Sequence, residues 1–94
     1  MANNKSAEKR IEVAKRNRLE NRFYKSSVRT LIKVFLNDSA NYKLSQNPID
    51  KEKAQKVLNS VYSLIDKGTK KNVFHKNNAA RKKAQLAGYL KSLQ

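Results

Sequence analysis

A chain of 94 residues with 22 Lys or Arg against 7 Asp or Glu has room for one domain with a thin core, and its formal net charge of +15 implies self-repulsion and a polyanionic partner. The absence of Cys excludes a disulfide framework or a thiolate metal site and fits a reducing, intracellular compartment, and the single His75 cannot build a zinc site. No apolar run reaches the roughly 20 residues of a membrane span, residues 1–10 lack a signal-peptide core, and Glu8, Glu12 and Glu20 fall where transit peptides avoid acids, so a soluble, non-exported protein is expected.

Two Gly, one Pro and little strand-like alternation predict an all-α chain with helices over about 7–41, 48–67 and 77–92. The first helix has two characters. In its second half Tyr24, Val28, Leu31, Ile32 and Phe35 recur at three- and four-residue spacing and form a core face. Lys15, Arg18, Arg22, Lys25, Arg29 and Lys33 make a basic stripe about a quarter to a third of a turn away. Before Arg22, the apolar Ile11, Val13, Ala14 and Leu19 do not line up on one face. A solvated helix held by pairs such as Glu12 with Arg16 is one reading. The excess positive charge and missing stripe favour the other, a basic arm ordered by a polyanion.

The second helix opens on Asn47 as N-cap, Pro48 at the first helical position and Asp50 in the first turn. Ala54, Val57, Leu58, Val61, Leu64 and Ile65 then pack, and Gly68 is expected to end the helix. From Lys67 to Lys83 the chain holds seven Lys or Arg, no acid and its only His, a composition suited to phosphates. His75 is expected either to cap the third helix or to touch phosphate. In that helix Ala79, Leu86, Leu90 and Leu93 form an apolar stripe, Ala80, Ala84 and Ala87 a small-residue face, and the consecutive Arg81, Lys82 and Lys83 fan around the axis.

Residues 1–33 and 67–83 each carry a net +7, whereas residues 34–66 are neutral. A short connection makes the first two helices antiparallel, and the second, at about 30 Å, is shorter than the first, at about 50 Å. It should therefore end beside residues 20–24, bringing both charged flanks to one end of the molecule with the start of the first helix projecting. Catalysis is not expected, because the acids are dispersed and no nucleophile–base pair, glycine-rich phosphate loop or metal cluster is visible. Diffuse Lys, Arg and Asn suit the phosphates, sugars and shape of a large folded RNA. A histone-like DNA packer and a basic helix at anionic lipid remain open on composition.

Met1 to Arg10 (MANNKSAEKR), Val28-Arg29-Thr30 with Ile32-Lys33, and His75 to Ala84 (HKNNAARKKA) resemble, nearly end to end, the S-twenty family of bacterial-type small-subunit ribosomal proteins. The resemblance implies an antiparallel three-helix bundle, one domain over 1–94 with a basic arm at 1–22 and the bundle at 23–94. It also implies a structural constituent of the ribosome, in bacterial cytoplasm or plastid stroma, that binds 16S-type ribosomal RNA directly and supports subunit assembly. Together with the basic stripes, it sets the expected RNA contacts. On the first helix these are Lys5, Ser6, Lys9, Arg10, Lys15, Arg16, Arg18, Arg22, Lys25, Arg29 and Lys33; after it, Lys70, Lys71, His75, Lys76, Asn77, Asn78, Arg81, Lys82 and Lys83. No cofactor, metal, small-molecule substrate, membrane or homo-oligomer is expected. Glu8, Glu12 and Glu20 dilute an arm that is more uniformly basic in many relatives, and beside them the turn from Asn41 to Pro48 reads as long.

Overall fold

The computed structural model describes the backbone of residues 3–93 and the side chains of residues 4–93. Met1 and Ala2, which open the first motif, and Gln94, which closes the expected domain, lie outside the described residues. The chain is all-α: α1 spans Asn3–Ser45, α2 Pro48–Lys70 and α3 Lys76–Ser92.

The periodic apolar positions explain the packing. Val28 and Phe35 from α1, Ala54, Leu58, Val61 and Ile65 from α2, and Ala79, Leu86 and Leu90 from α3 are buried in one cluster. Each large apolar side chain so enclosed contributes about 1.5–3 kcal/mol. Leu31, Ile32, Val57, Tyr62, Leu64 and Phe74 pack around it. α2 lies between its neighbours in the packing, with α1 along one side and α3 on another. The three helices run up, down and up.

Both ends of α1 reach further than the sequence predicts. The core stripe continues past Phe35 to Ser39 and Tyr42, seven residues on, and both are buried. The polar segment around Asn37, Asp38 and Asn41 therefore remains helical, and the connection that reads as long consists of Gln46 and Asn47 alone. Gln46 takes a left-handed φ of 55°. Its amide donates to the Tyr42 carbonyl at 2.7 Å and its side chain to the Lys43 carbonyl at 3.1 Å, satisfying groups the helix end leaves open. Asn47 caps α2 by accepting the Ile49 N–H at 3.0 Å, and the Ser45 hydroxyl bonds the Asp50 carboxylate across the turn. Ser39 is wholly buried with no hydrogen-bond partner for its hydroxyl, an omission that costs about 1–3 kcal/mol.

Gly68 does not end α2. The helix runs through it to Lys70, with Lys71 as its cap, and the left-handed residue beyond is Asn72 at φ 62°. Asparagine tolerates that conformation because its short polar side chain relieves the steric cost locally. Gly68 answers to packing: a Cβ there would lie 2.5 and 2.6 Å from two ring carbons of Phe74. The missing side chain lets the returning chain close down on α2, with the amides of Val73 and Phe74 donating to the Gly68 carbonyl at 2.8 and 3.4 Å.

The molecule measures 67 × 21 × 13 Å, so its length is that of α1. α2 ends beside the middle of that helix, as the two lengths predict. Lys71 Nζ lies 3.2 Å from Glu20 Oε1, and a Cβ on Gly68 would touch Tyr24 at 3.5 Å. The residues of α1 before Glu20 extend past the bundle as an arm.

Candidate nucleic-acid interface

α1 and α3 meet at one end, where the Phe35 and Tyr89 rings stand edge to face with centroids 6.2 Å apart. Toward the other end a groove opens between them. Its floor is Val28, Ile32, Ile65, Val73, Phe74 and Ala79; its rim is Lys25, Arg29 and Lys33 from α1 and His75, Asn78 and Lys82 from the turn and α3. No acidic residue lines it. Two segments that are far apart in sequence thus place six polar or cationic side chains around one apolar floor. Such a rim concentrates positive potential where a phosphate backbone can lie along it.

The rim is positioned by local chemistry. Lys25, Arg29 and Lys33 follow four-residue spacing, which keeps them on one side of α1 next to the buried stripe. His75 is the N-cap of α3, its Nδ1 accepting the Asn77 N–H at 3.1 Å. That is the capping role of the two expected for it. With Nδ1 as acceptor, the neutral ring carries its proton on Nε2, which leaves one donor for a ligand. Lys76, Asn77 and Asn78 open α3 and are exposed; His75 takes the Asn77 N–H, which leaves the neighbouring first-turn N–H groups of Lys76 and Asn78 open to solvent beside the rim.

The arm carries two further groups. Ser6, Lys9 and Arg10 border one shallow concavity together with Val13, Ala14 and Asn17. Lys15, Arg18 and Arg22 border another around Leu19. Lys5 and Arg16 are exposed on the arm, Lys70 at the end of α2, and Arg81 on α3. Two of the expected contacts are engaged within the protein: Lys71 with Glu20 at 3.2 Å, and Lys83 with Asp66 at 2.9 Å. Lys83 is only half-exposed and faces α2, away from the groove.

Of the groove floor, sequence reasoning named Val28, Ile32, Ile65 and Ala79 as apolar stripe positions but missed Val73 and Phe74. Val73 and Phe74 lay inside a stretch valued for its charge, and nothing local shows that they fold back over Gly68. The available signal was an apolar pair in an otherwise polar connection.

Among the described residues no group of three or more His, Asp or Glu stands ready to hold a metal ion, and no helix is long and apolar enough to cross a membrane.

Comparison with known proteins adds to this geometry. The family described as Ribosomal protein S20 matches residues 2–91. The chain is 76% identical over 91 residues to the small ribosomal subunit protein bS20c of Phaeodactylum tricornutum, covering 97% of this chain and 98% of that one. It is 69% identical to bS20c of Trieres chinensis over the same shares. Against bS20 of Prochlorococcus marinus strain AS9601 the identity is 51% over 92 residues, 98% of this chain and 95% of the relative.

Proposed function

We infer that this chain, which belongs to the ribosomal protein S20 family, is a structural constituent of the small ribosomal subunit that grips 16S-type ribosomal RNA directly. The observation that carries direct binding is the groove between α1 and α3, where the two basic flanks of the sequence meet without an acid among the lining residues. Lys25, Arg29, Lys33 and Lys82 are placed for phosphates, and His75 Nε2–H and the Asn78 amide for phosphate, ribose or an exposed base edge. The arm cations, from Lys5 to Arg22, continue the contact along a second stretch of RNA. Lys70, Lys76, Asn77 and Arg81, exposed outside the groove lining, add further contacts. The family is one of ribosomal structural proteins rather than enzymes. Its place of work is a ribosome, in a plastid or in bacterial cytoplasm. The protein acts there as a single copy, with no membrane or small-molecule substrate.

The test is competition. Protein bound to a folded small-subunit rRNA transcript is challenged with duplex DNA at moderate salt, and the RNA is expected to retain it. Preference for duplex DNA would sink direct rRNA recognition in favour of DNA packing.

A further inference from the structure

Arg81, Lys82 and Lys83 are consecutive, but on a helix successive side chains are about 100° apart, so the three cannot face one partner. Lys82 lies on the groove rim. Lys83 lies on the opposite flank, against α2, where three contacts converge on it. Its Nζ is 2.9 Å from Asp66 Oδ1 and 5.3 Å from the centroid of the Tyr62 ring. Its backbone carbonyl accepts the Tyr62 hydroxyl at 3.2 Å. The carbonyl's second lone pair permits this alongside the ordinary helical bond. Burial raises the Tyr62 phenol above its ordinary value, against the opposing influence of Lys83, so the hydroxyl stays a donor across the neutral range.

We propose that Lys83 is a positioning residue, which straps α3 to α2 through Asp66 and Tyr62 and so sets the width of the RNA groove, and that it is not itself a phosphate ligand. This rests on the reading of the chain as an RNA-binding protein. An isolated, partly exposed ion pair does little, because solvent screens it and both side chains lose freedom. Here the same residue is held at its ammonium, along its ring contact and at its main chain, and the partners sit on one helix four residues apart. α3 needs such a device. Among the described residues its buried side chains are Ala79, Leu86 and Leu90, and Lys82 stands on the open rim of the groove. A rotation of α3 about its own axis would carry Asn78 and Lys82 off the rim, and the strap opposes that rotation from the far side.

The test uses the full chain and a small-subunit rRNA transcript. Lys83→Glu sets two carboxylates against each other and is expected to weaken RNA binding about tenfold. In the free protein it is expected to speed amide exchange across residues 76–92. Adding Asp66→Lys rebuilds the pair with reversed polarity at the wild-type net charge, and both readouts are expected to return to within about threefold of wild type. Lys83→Met, which keeps an apolar stem against Tyr62 and the fold with it, is expected to lower affinity without changing the slope of log K against log salt. Lys82→Met is expected to flatten that slope by about 0.9, the signature of one lost duplex phosphate contact. If the reversed pair binds RNA no better than Lys83→Glu, or if Lys83→Met flattens the slope as Lys82→Met does, Lys83 is a phosphate ligand and the proposal is overturned. Should the wild-type chain not bind the transcript at all, the RNA-binding reading fails, and exchange in α3 of the free protein alone decides whether the strap exists.

Discussion

Gly68 and Gly88 both lie inside helices, and they respond to opposite demands. A Cβ at Gly68 meets the Phe74 ring at 2.5 Å, whereas one at Gly88 meets nothing within 4 Å. Helix propensity favours alanine over glycine by about 1 kcal/mol at either position. At Gly88 that gain is unopposed, and Gly88→Ala is expected to stabilise the protein by close to that amount. At Gly68 the overpacking cost of about 1–3 kcal/mol works against it, so Gly68→Ala is expected to destabilise on balance. Urea unfolding of the two variants checks the pair. A stabilised Gly68→Ala would mean that Phe74 moves aside freely and that the groove floor is not rigid. Lys82 and Lys83 teach the same lesson at this scale: neighbours of identical chemistry acquire different work from one step of helical rotation.

α1 is one helix made of two kinds of material. From Tyr24 to Tyr42 its buried face is continuous, and in the arm even the large apolar residues are open, Ile11 at 67% and Leu19 at 57% exposure. Isolated helices shorter than about 12–15 residues are marginal in water, and ordering each backbone residue costs roughly 1–2 kcal/mol. Exposed i,i+4 ion pairs return only about 0.3–0.5 kcal/mol each, and among the described residues Glu12 and Arg16 do not form one. The arm's helix is therefore expected to depend on phosphate contacts for its persistence, with the Glu20–Lys71 pair marking its base. In free protein the amides of residues 7–22 are expected to exchange quickly while those of residues 24–36 and 48–67 are protected, and rRNA is expected to extend protection into the arm. Slow exchange throughout the arm without RNA would show that it holds itself.

At the scale of the molecule, a neutral end closed by Phe35, Tyr89 and the short α1–α2 turn faces a basic end of groove and arm. Cations distributed over a 67 Å length can reach more phosphates than a compact patch. If about six to ten phosphates are neutralised, affinity for the rRNA transcript is expected to fall on the order of 10³- to 10⁵-fold between 50 and 200 mM salt, and by less where the contacted strands are single. A nearly flat salt titration would contradict binding through the phosphate backbone.

Much of this molecule is legible from composition and periodicity because those features act locally. The start of α2 follows from Asn47, Pro48 and Asp50, whose capping, fixed φ and charge all operate within one turn. The core stripes follow from 3.6-residue spacing, and the meeting of the charged flanks from two helix lengths and one short turn. What only the tertiary structure decided depends on which surfaces come together. Ser39 and Tyr42 keep the polar end of α1 helical because tertiary packing buries them, a fact absent from their own chemistry. Gly68 reads as a terminator from the sequence and serves instead as the flat place on which Phe74 lands, because a glycine's neighbours across space are not written beside it. The assignment of Lys82 to the groove and Lys83 to α2 likewise waited on the fold, since charge counts both residues alike and only the rotation of a packed helix separates them.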